Sequence, residues 1–461
     1  MASQRILHIG CFADPSTKGG NRVLANQVMA LRRAGVHAEI LTLSGDGNWR
    51  GPVPDPAGAL FEGVPWISVE HGGLDYQVAD FPPLWRDRFM NEAEWERAVE
   101  WGMRFLSHLA PAFVHQHYWQ ATRFMLHAAQ RLGIPTACSI HDFGAGCMRT
   151  LLVTGEGKLC DSVVGVDKCS SCVLAGFNTL GKLNEAAIRW APLRAAVERY
   201  GFGPQLQGPL GRRGGVRIPV RERVALTVSR SRKEMTSLHA LIVPSPFAGN
   251  FFRQFGIPPE RVHVLPWFYV GPPTVEPLPP FEEGLRLASL GRISQEKGID
   301  VLLRALERVR ASRPVLLHIA GGLNNEYAAG LQRRYATAAG ACRVTWEGLV
   351  PNEQVSRFYS RNHVAVIPSL CYDNTPASLV EALASARPVI CTDVPSMTHL
   401  VKHEINGLTF PMGDEAALAA AITRLADSPE LAARLAQHTR NVPSVDEYAA
   451  SVHQIYKAAL A

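Results

Sequence analysis

The feature that most constrains this chain is the regular spacing of short, wholly apolar runs in its second half. "LRLASLGR", "VLLHIAGG", "RVTWEGLV", "HVAVIPS" and "PVICTDV" follow one another, and helix-like segments separate them, beginning with 297–311 and roughly 325–338. A strand with one wet face alternates apolar and polar residues, whereas a parallel strand covered on both faces is apolar throughout. Strand–helix alternation of this kind specifies a parallel, doubly wound α/β sheet. The first half opens the same way. An apolar strand over Arg5–Gly10 leads to a loop, "DPSTKGGN", a helix from about Arg22 to Ala34 ended by Gly35, and the strand "VHAEILTL".

Between the halves lies "GPPTVEPLPP", with five prolines in ten residues. Proline blocks both helix and central strand, so this stretch reads as a linker. The expected organisation is a first Rossmann-like domain over 1–270, with a Cys-bearing insertion at 143–175, then a linker over 271–284. A second Rossmann-like domain spans 285–442, and a last helix over 443–461 crosses back to the first domain. Residues 44–82, rich in Gly, Pro and Trp, read as an irregular insertion. At 461 residues and 47% hydrophobic, the chain is long and apolar enough for two cores.

The net charge of +6 suits an anionic small molecule or an acidic membrane surface. No nucleic-acid motif accompanies it, so no nucleic-acid partner is expected. No run approaches the ~18 apolar residues of a membrane helix. "MASQRILHIGCFADP" reads as a first strand rather than a leader. A cytoplasmic chain with reduced cysteines is therefore expected.

Two stretches carry the chemistry: "LGRISQEKGIDVLLRALE" and "VIPSLCYDNTPASLVEALASARPVICTDVPSMTHLVKHEINGLTFP". Arg292 and Lys297 follow a strand, at the end where open α/β sheets bind ligands. In the second stretch Thr375 reads as a cap and Pro376 as the first helical residue. The amides of Ala377, Ser378 and Leu379 would then be free for phosphate oxygens. Glu381 sits among Leu379, Val380, Ala382 and Leu383, which argues against a solvated face.

Together these stretches resemble the donor-binding half of family 4 glycosyltransferases. The resemblance implies a GT-B fold, with two Rossmann-like domains whose parallel sheets face a central cleft. It also implies a retaining transfer of a hexose-like sugar from a nucleotide-diphosphate sugar. Arg292 and Lys297 would clamp the diphosphate, and Glu381 would accept hydrogen bonds from ribose hydroxyls. Negative charge grows on the leaving diphosphate, so fixed cations aimed there lower the barrier. Where the family has a second Glu near the donor sugar this chain has Asp373, one methylene shorter. Where it often has an acid this chain has His399, to which no role is assigned. Gly407 matches the family's Asn-Gly turn. Gly19 and Gly20 resemble its Gly-rich phosphate loop, where the missing Cβ allows close approach. His141, followed by Asp142, resembles the histidine lining the reacting centre, and His115 and His117 fall near it.

No DxD triad occurs, so no catalytic metal is expected. Cys147, Cys160, Cys169 and Cys172 lie within 26 residues and end in C-x2-C, a spacing that suits a structural zinc. Residues 181–235 carry twelve Lys or Arg against four Asp or Glu. They read as a solvated face, or as a peripheral contact with anionic lipid at the inner face of a membrane. The expected partners are thus a nucleotide-sugar donor and a glycan, small-molecule or lipid-linked acceptor. Two other readings stand beside transfer: a sugar-nucleotide epimerase or hydrolase on the same fold, and an inactive donor-binding assembly subunit. An NAD-dependent oxidoreductase is disfavoured, because neither half opens its first helix with G-x-G-x-x-G.

Overall fold

The computed structural model describes residues 4–10, 19–44, 60–61, 64–70, 92–117, 122–147, 151–154, 158–160, 164–175, 220–269, 275–439 and 442–461. The loop at 11–18, the start of the linker at 270–274 and the basic stretch between 176 and 219 lie outside them, as does most of 44–82. The chain divides into two compact units. One comprises 1–244, 248–265 and 445–461; the other comprises 245–247 and 266–444.

In the first unit the described strands are β1 (Ile6–Gly10), β2 (Ala38–Ser44), β3 (Leu60–Phe61), β4 (Val64–Glu70), β5 (Phe113–His117), β6 (Thr136–Ser139), β7 (Ala240–Val243) and β8 (Val262–Val264). They form one sheet in the order β3-β4-β2-β1-β5-β6-β7-β8, parallel except for β3 against β4. The sequence reading left β4 inside an irregular insertion, yet it pairs with β2 from Ile40↔Trp66 to Ser44↔Glu70. Pro65 obscured it; proline is tolerated at the start of a strand near a sheet edge. Leu7, Ile9, Leu41 and Val114 bury one face of this sheet against Trp95, Phe105 and Phe124. Trp95 and Phe105 belong to the helix Glu92–Leu109, which the sequence reading did not assign. The helix Val445–Leu460 packs on the helix Gly19–Arg33, where Asp446 pairs with Arg33 at 2.6 Å.

In the second unit the strands are β9 (Leu285–Leu290), β10 (Val315–Ala320), β11 (Ala338–Ala339), β12 (Cys342–Gly348), β13 (Val364–Ile367), β14 (Val389–Thr392) and β15 (Gly407–Phe410). Their order is β11-β12-β10-β9-β13-β14-β15, parallel except for β11. In each sheet the strand order reverses at one point, between β1 and β5 and between β9 and β13. Ligands of doubly wound sheets bind outside the carboxyl ends of the strands at such a point.

Arg387, almost fully buried, ties the segment preceding β9 to this unit. It donates to the carbonyls of Glu276, Pro277, Tyr359 and Ser360. Gly407 owes its place to packing rather than to a turn: an added Cβ would lie 2.2 Å from the Val389 carbonyl oxygen. Among the described residues no helix is long and apolar enough to cross a membrane. Of the basic stretch, residues 220–235 fall in the helix Val220–Thr236. Its Arg221 pairs with Asp167 at 2.8 Å, and its Arg230 with Glu92. Part of that charge is thus neutralised within the unit.

Candidate functional site

At the switch point of the second sheet, β9 runs into Gly291 and Arg292, and the chain then makes a 3-10 turn over Gln295–Lys297. The helix begins at Ile299, two residues later than the pattern indicates, because Gly298 takes a left-handed φ of 67°. Glycine is required there twice over. The backbone conformation is one that L side chains avoid, and a Cβ would lie 2.0 Å from the Pro368 carbonyl oxygen. This close approach presses the loop after β9 onto the loop after β13. The Leu370 amide, donating to the Glu296 carbonyl at 2.8 Å, fastens the two.

The fastening brings Lys297 and Asp373, far apart in sequence, into an ion pair. Ser369 Oγ donates to the same Asp373 oxygen at 3.1 Å. An ammonium has three donors, and the pair spends one of them. Arg292 is 74% exposed at its side chain and meets Glu296 at 3.3 Å, so most of its guanidinium faces solvent.

The helix after β13 starts differently from the sequence reading. Pro376 is the cap position and Ala377 the first helical residue. Thr375 does not cap. It holds a left-handed φ of 57°, and its hydroxyl donates to the Ser396 carbonyl at 3.3 Å. Leu379 is not free either, since its amide donates to the Pro376 carbonyl at 3.0 Å. The amides of Ala377 and Ser378 keep no backbone acceptor, so two of the three expected phosphate donors remain.

Glu381 lies one turn further on. Its Oε2 is buried and has no hydrogen-bond partner among the described residues. Burial raises its pKa from 4.5 to about 7. A buried acceptor without a donor is costly, and groups that supply hydroxyls relieve that cost. His399 is half-buried just after the short helix Pro395–Thr398.

In the first unit Gly19 and Gly20 are the first two residues of the helix Gly19–Arg33, where a loop position was expected. The helix thus starts three residues before Arg22, and its first amides belong to glycines. His8, His115 and His117 are completely buried on β1 and β5, and register places His8 opposite His115. One hydrogen-bonded chain joins them. Ser139 Oγ is 2.8 Å from His115 Nε2, and His115 Nδ1 is 2.5 Å from the Tyr456 hydroxyl. That hydroxyl is 3.3 Å from His8 Nε2, and His8 Nδ1 is 3.1 Å from His117 Nε2. His117 Nδ1 is 3.2 Å from His141 Nε2.

Burial pushes His8 and His141 down to about 3, and His115 and His117 well below the usual imidazole range. All four are neutral at physiological pH, each with one donor and one acceptor. The short O···N contact fits Tyr456 donating to His115. The remaining bonds then follow one direction, with His8, His117 and His141 each donating from Nε2. In that arrangement the Nδ1 of His141 has acceptor character. The Oδ1 of Asp142 accepts the Gly144 amide at 2.6 Å and shapes the turn.

Sequence reasoning missed His8 and Tyr456. A lone histidine inside the apolar "ILHIG" was a signal for His8. Tyr456 had none, because an aromatic on an amphipathic helix is ordinary core.

Comparison with known proteins fits this architecture. Sucrose-phosphate synthase from Thermosynechococcus elongatus superposes with a TM-score of 0.66 over 99% of this chain and 98% of its own, at 19% identity. Anabaena HepE in complex with UDP and glucose gives 0.62 over 99% and 100%, at 12% identity. Among curated relatives, an MMP alpha-(1->4)-mannosyltransferase of Mycolicibacterium hassiacum is 28% identical over 62% of this chain and 66% of its own length. A D-inositol 3-phosphate glycosyltransferase of Thermomonospora curvata is 26% identical over 70% and 65%. An amylovoran biosynthesis glycosyltransferase of Erwinia amylovora is 28% identical over 31% and 36%. The chain therefore spans between about a third and two thirds of the length of these relatives. The family model for glycosyl transferases group 1 matches residues 275–442. With the glycosyl transferase 4-like domain matching 18–267, more than half of the sequence, the chain belongs to the family 4 glycosyltransferases and has their GT-B fold.

Proposed function

We propose that this chain transfers a sugar, with retention of anomeric configuration, from a nucleotide-diphosphate sugar to a glycan, small-molecule or lipid-linked acceptor. The observation that carries the reading is the convergence of Arg292, Lys297, Asp373 and the Ala377 and Ser378 amides on one switch point of the second sheet. Breaking the glycosidic bond leaves a diphosphate whose charge grows in the transition state. Arg292, the remaining donors of Lys297 and the two amides meet that charge without a divalent ion. Glu381 accepts from the ribose hydroxyls, and Asp373 holds Lys297 in place while its other oxygen remains for the sugar. His141, kept neutral, is a hydrogen-bonding group for sugar or acceptor hydroxyls rather than a source of charge. The relative named for mannosyl transfer supports a hexose donor. The remaining positive charge of residues 181–235 suits an anionic lipid surface.

The test is a thermal-shift screen of nucleotide sugars, followed by turnover of the stabilising ones with and without candidate acceptors. Release of nucleoside diphosphate that depends on acceptor, unaffected by omission of divalent cations, is expected, and nuclear magnetic resonance reads the anomer formed. Epimerisation or hydrolysis without acceptor would replace the reading with the same-fold alternative. Tight donor binding without any turnover would replace it with the assembly subunit.

A further inference from the structure

We infer that the segment following β6 is a structural zinc module, in which Cys147, Cys160, Cys169 and Cys172 bind one zinc ion as four thiolates. Three pieces of backbone bring them together. Cys147 ends the turn after His141, its amide donating to the Phe143 carbonyl at 2.7 Å. Cys160 lies on the returning arm of a small hairpin, made by the Val153↔Leu159 bridge and by its own amide donating to the Leu152 carbonyl at 2.7 Å. Cys169 and Cys172 stand three residues apart on the helix Val166–Ala175, which puts both on one face.

All four cysteines line a single hollow of about 30 Å³, and none is in a disulfide. The rest of the lining includes Leu152 and Val164. A water needs two to four polar partners, and these walls offer few. A soft cation suits them better: zinc takes four sulfurs at about 2.3 Å in a tetrahedron. Two features offset the residual negative charge: Lys168 borders the hollow, and Cys169 sits in the first turn of its helix, at the positive end of the dipole.

The module also needs a fastening. Its hairpin has one bridge, and of residues 151–160 that are described only Leu152 is buried. Metal binding supplies folding free energy to such loop-rich segments. This inference does not depend on the donor site, which is built from other residues of the other unit.

The test uses the full chain, purified with its affinity tag removed and without added metal or chelator, and analysed by plasma mass spectrometry. About one zinc per chain is expected, released only as an organomercurial titrates the four thiols. Cys169→Ser and Cys172→Ser should lose the zinc and lower Tm by about 5 °C or more, whereas Cys342→Ala, in the other unit, keeps it. If the variants do not fold, the wild type still decides. Replacement by cobalt should give the thiolate charge-transfer and strong visible bands of a tetrahedral sulfur site. Under about 0.1 equivalent of zinc with no uptake on adding it, free alkylation of the four thiols in the native protein, or iron with acid-labile sulfide would each overturn the assignment.

Discussion

The two units are built on the same strand order, yet they arm their switch points in opposite ways. The second unit collects charge: Arg292, Lys297, Asp373 and Glu296 in and around the loops after β9 and β13. The first collects neutral imidazoles, with His8, His115, His117 and His141 linked to Ser139 and Tyr456. Burial explains the contrast. Loops at the rim of a sheet stay wet enough to keep ions, whereas the strands that carry His8, His115 and His117 do not, and an imidazole there gives up its proton. Under the proposed function the contrast amounts to a division of labour. Charge suits a diphosphate that gains charge as it leaves, and neutral donors and acceptors suit hydroxyls, which gain none.

The sharpest way to break the comparison is to remove one charge and one imidazole and compare the losses. Lys297→Ala is expected to lower kcat/KM by about 10²-fold or more, the loss found when a transition-state donor to developing charge is removed. Wild-type turnover in this variant would end the assignment of the second unit's site. His141→Ala removes a neutral hydrogen bond and is expected to cost about tenfold. A loss as large as that of Lys297→Ala would mean that the first unit also stabilises charge.

His8→Phe, which cuts the chain between Tyr456 and His117, should reduce kcat a few-fold with little change in the KM for donor. It acts only by freeing the tautomer of His141. An unchanged kcat would show that the chain positions nothing.

The smallest effect concerns Glu381, whose carboxyl titrates near 7 against an ordinary 4.5. A raised pKa means that the folded state holds the proton more tightly. The stabilising contribution is fully present below about 4.5 and is lost as pH rises through about 7. Thermal melts of the ligand-free protein should show this decline, and Glu381→Gln should flatten it. Ribose hydroxyls favour the ionised form, so calorimetry near pH 6 in buffers of different ionisation enthalpy should report up to about one proton released per nucleotide bound. Proton uptake would contradict the role given to Glu381.

How legible this was depended on the range of the interactions. The doubly wound α/β class was readable because buried parallel strands must be apolar along their whole length, and the second half shows five such runs; the GT-B fold followed from the resemblance to family 4 glycosyltransferases. Arg292, Lys297 and Glu381 could be picked out as candidates because each has a set position relative to a strand end or a helix start. Thr375 was misread because the chain takes a left-handed φ of 57° there and its hydroxyl donates to the Ser396 carbonyl instead of capping. β4 was misread because Pro65 and the turn residues around it hid a strand that exists through pairing with β2.

Periodicity and spacing are local properties, so two doubly wound sheets, the cations at one strand end and four closely spaced cysteines could be read along the chain. That Lys297 meets Asp373, that His8 and Tyr456 continue a line of histidines, and that Glu381 Oε2 lacks a donor among the described residues became visible once the chain was folded. Those are contacts between residues remote in sequence, and their energies depend on burial and geometry that no local pattern records.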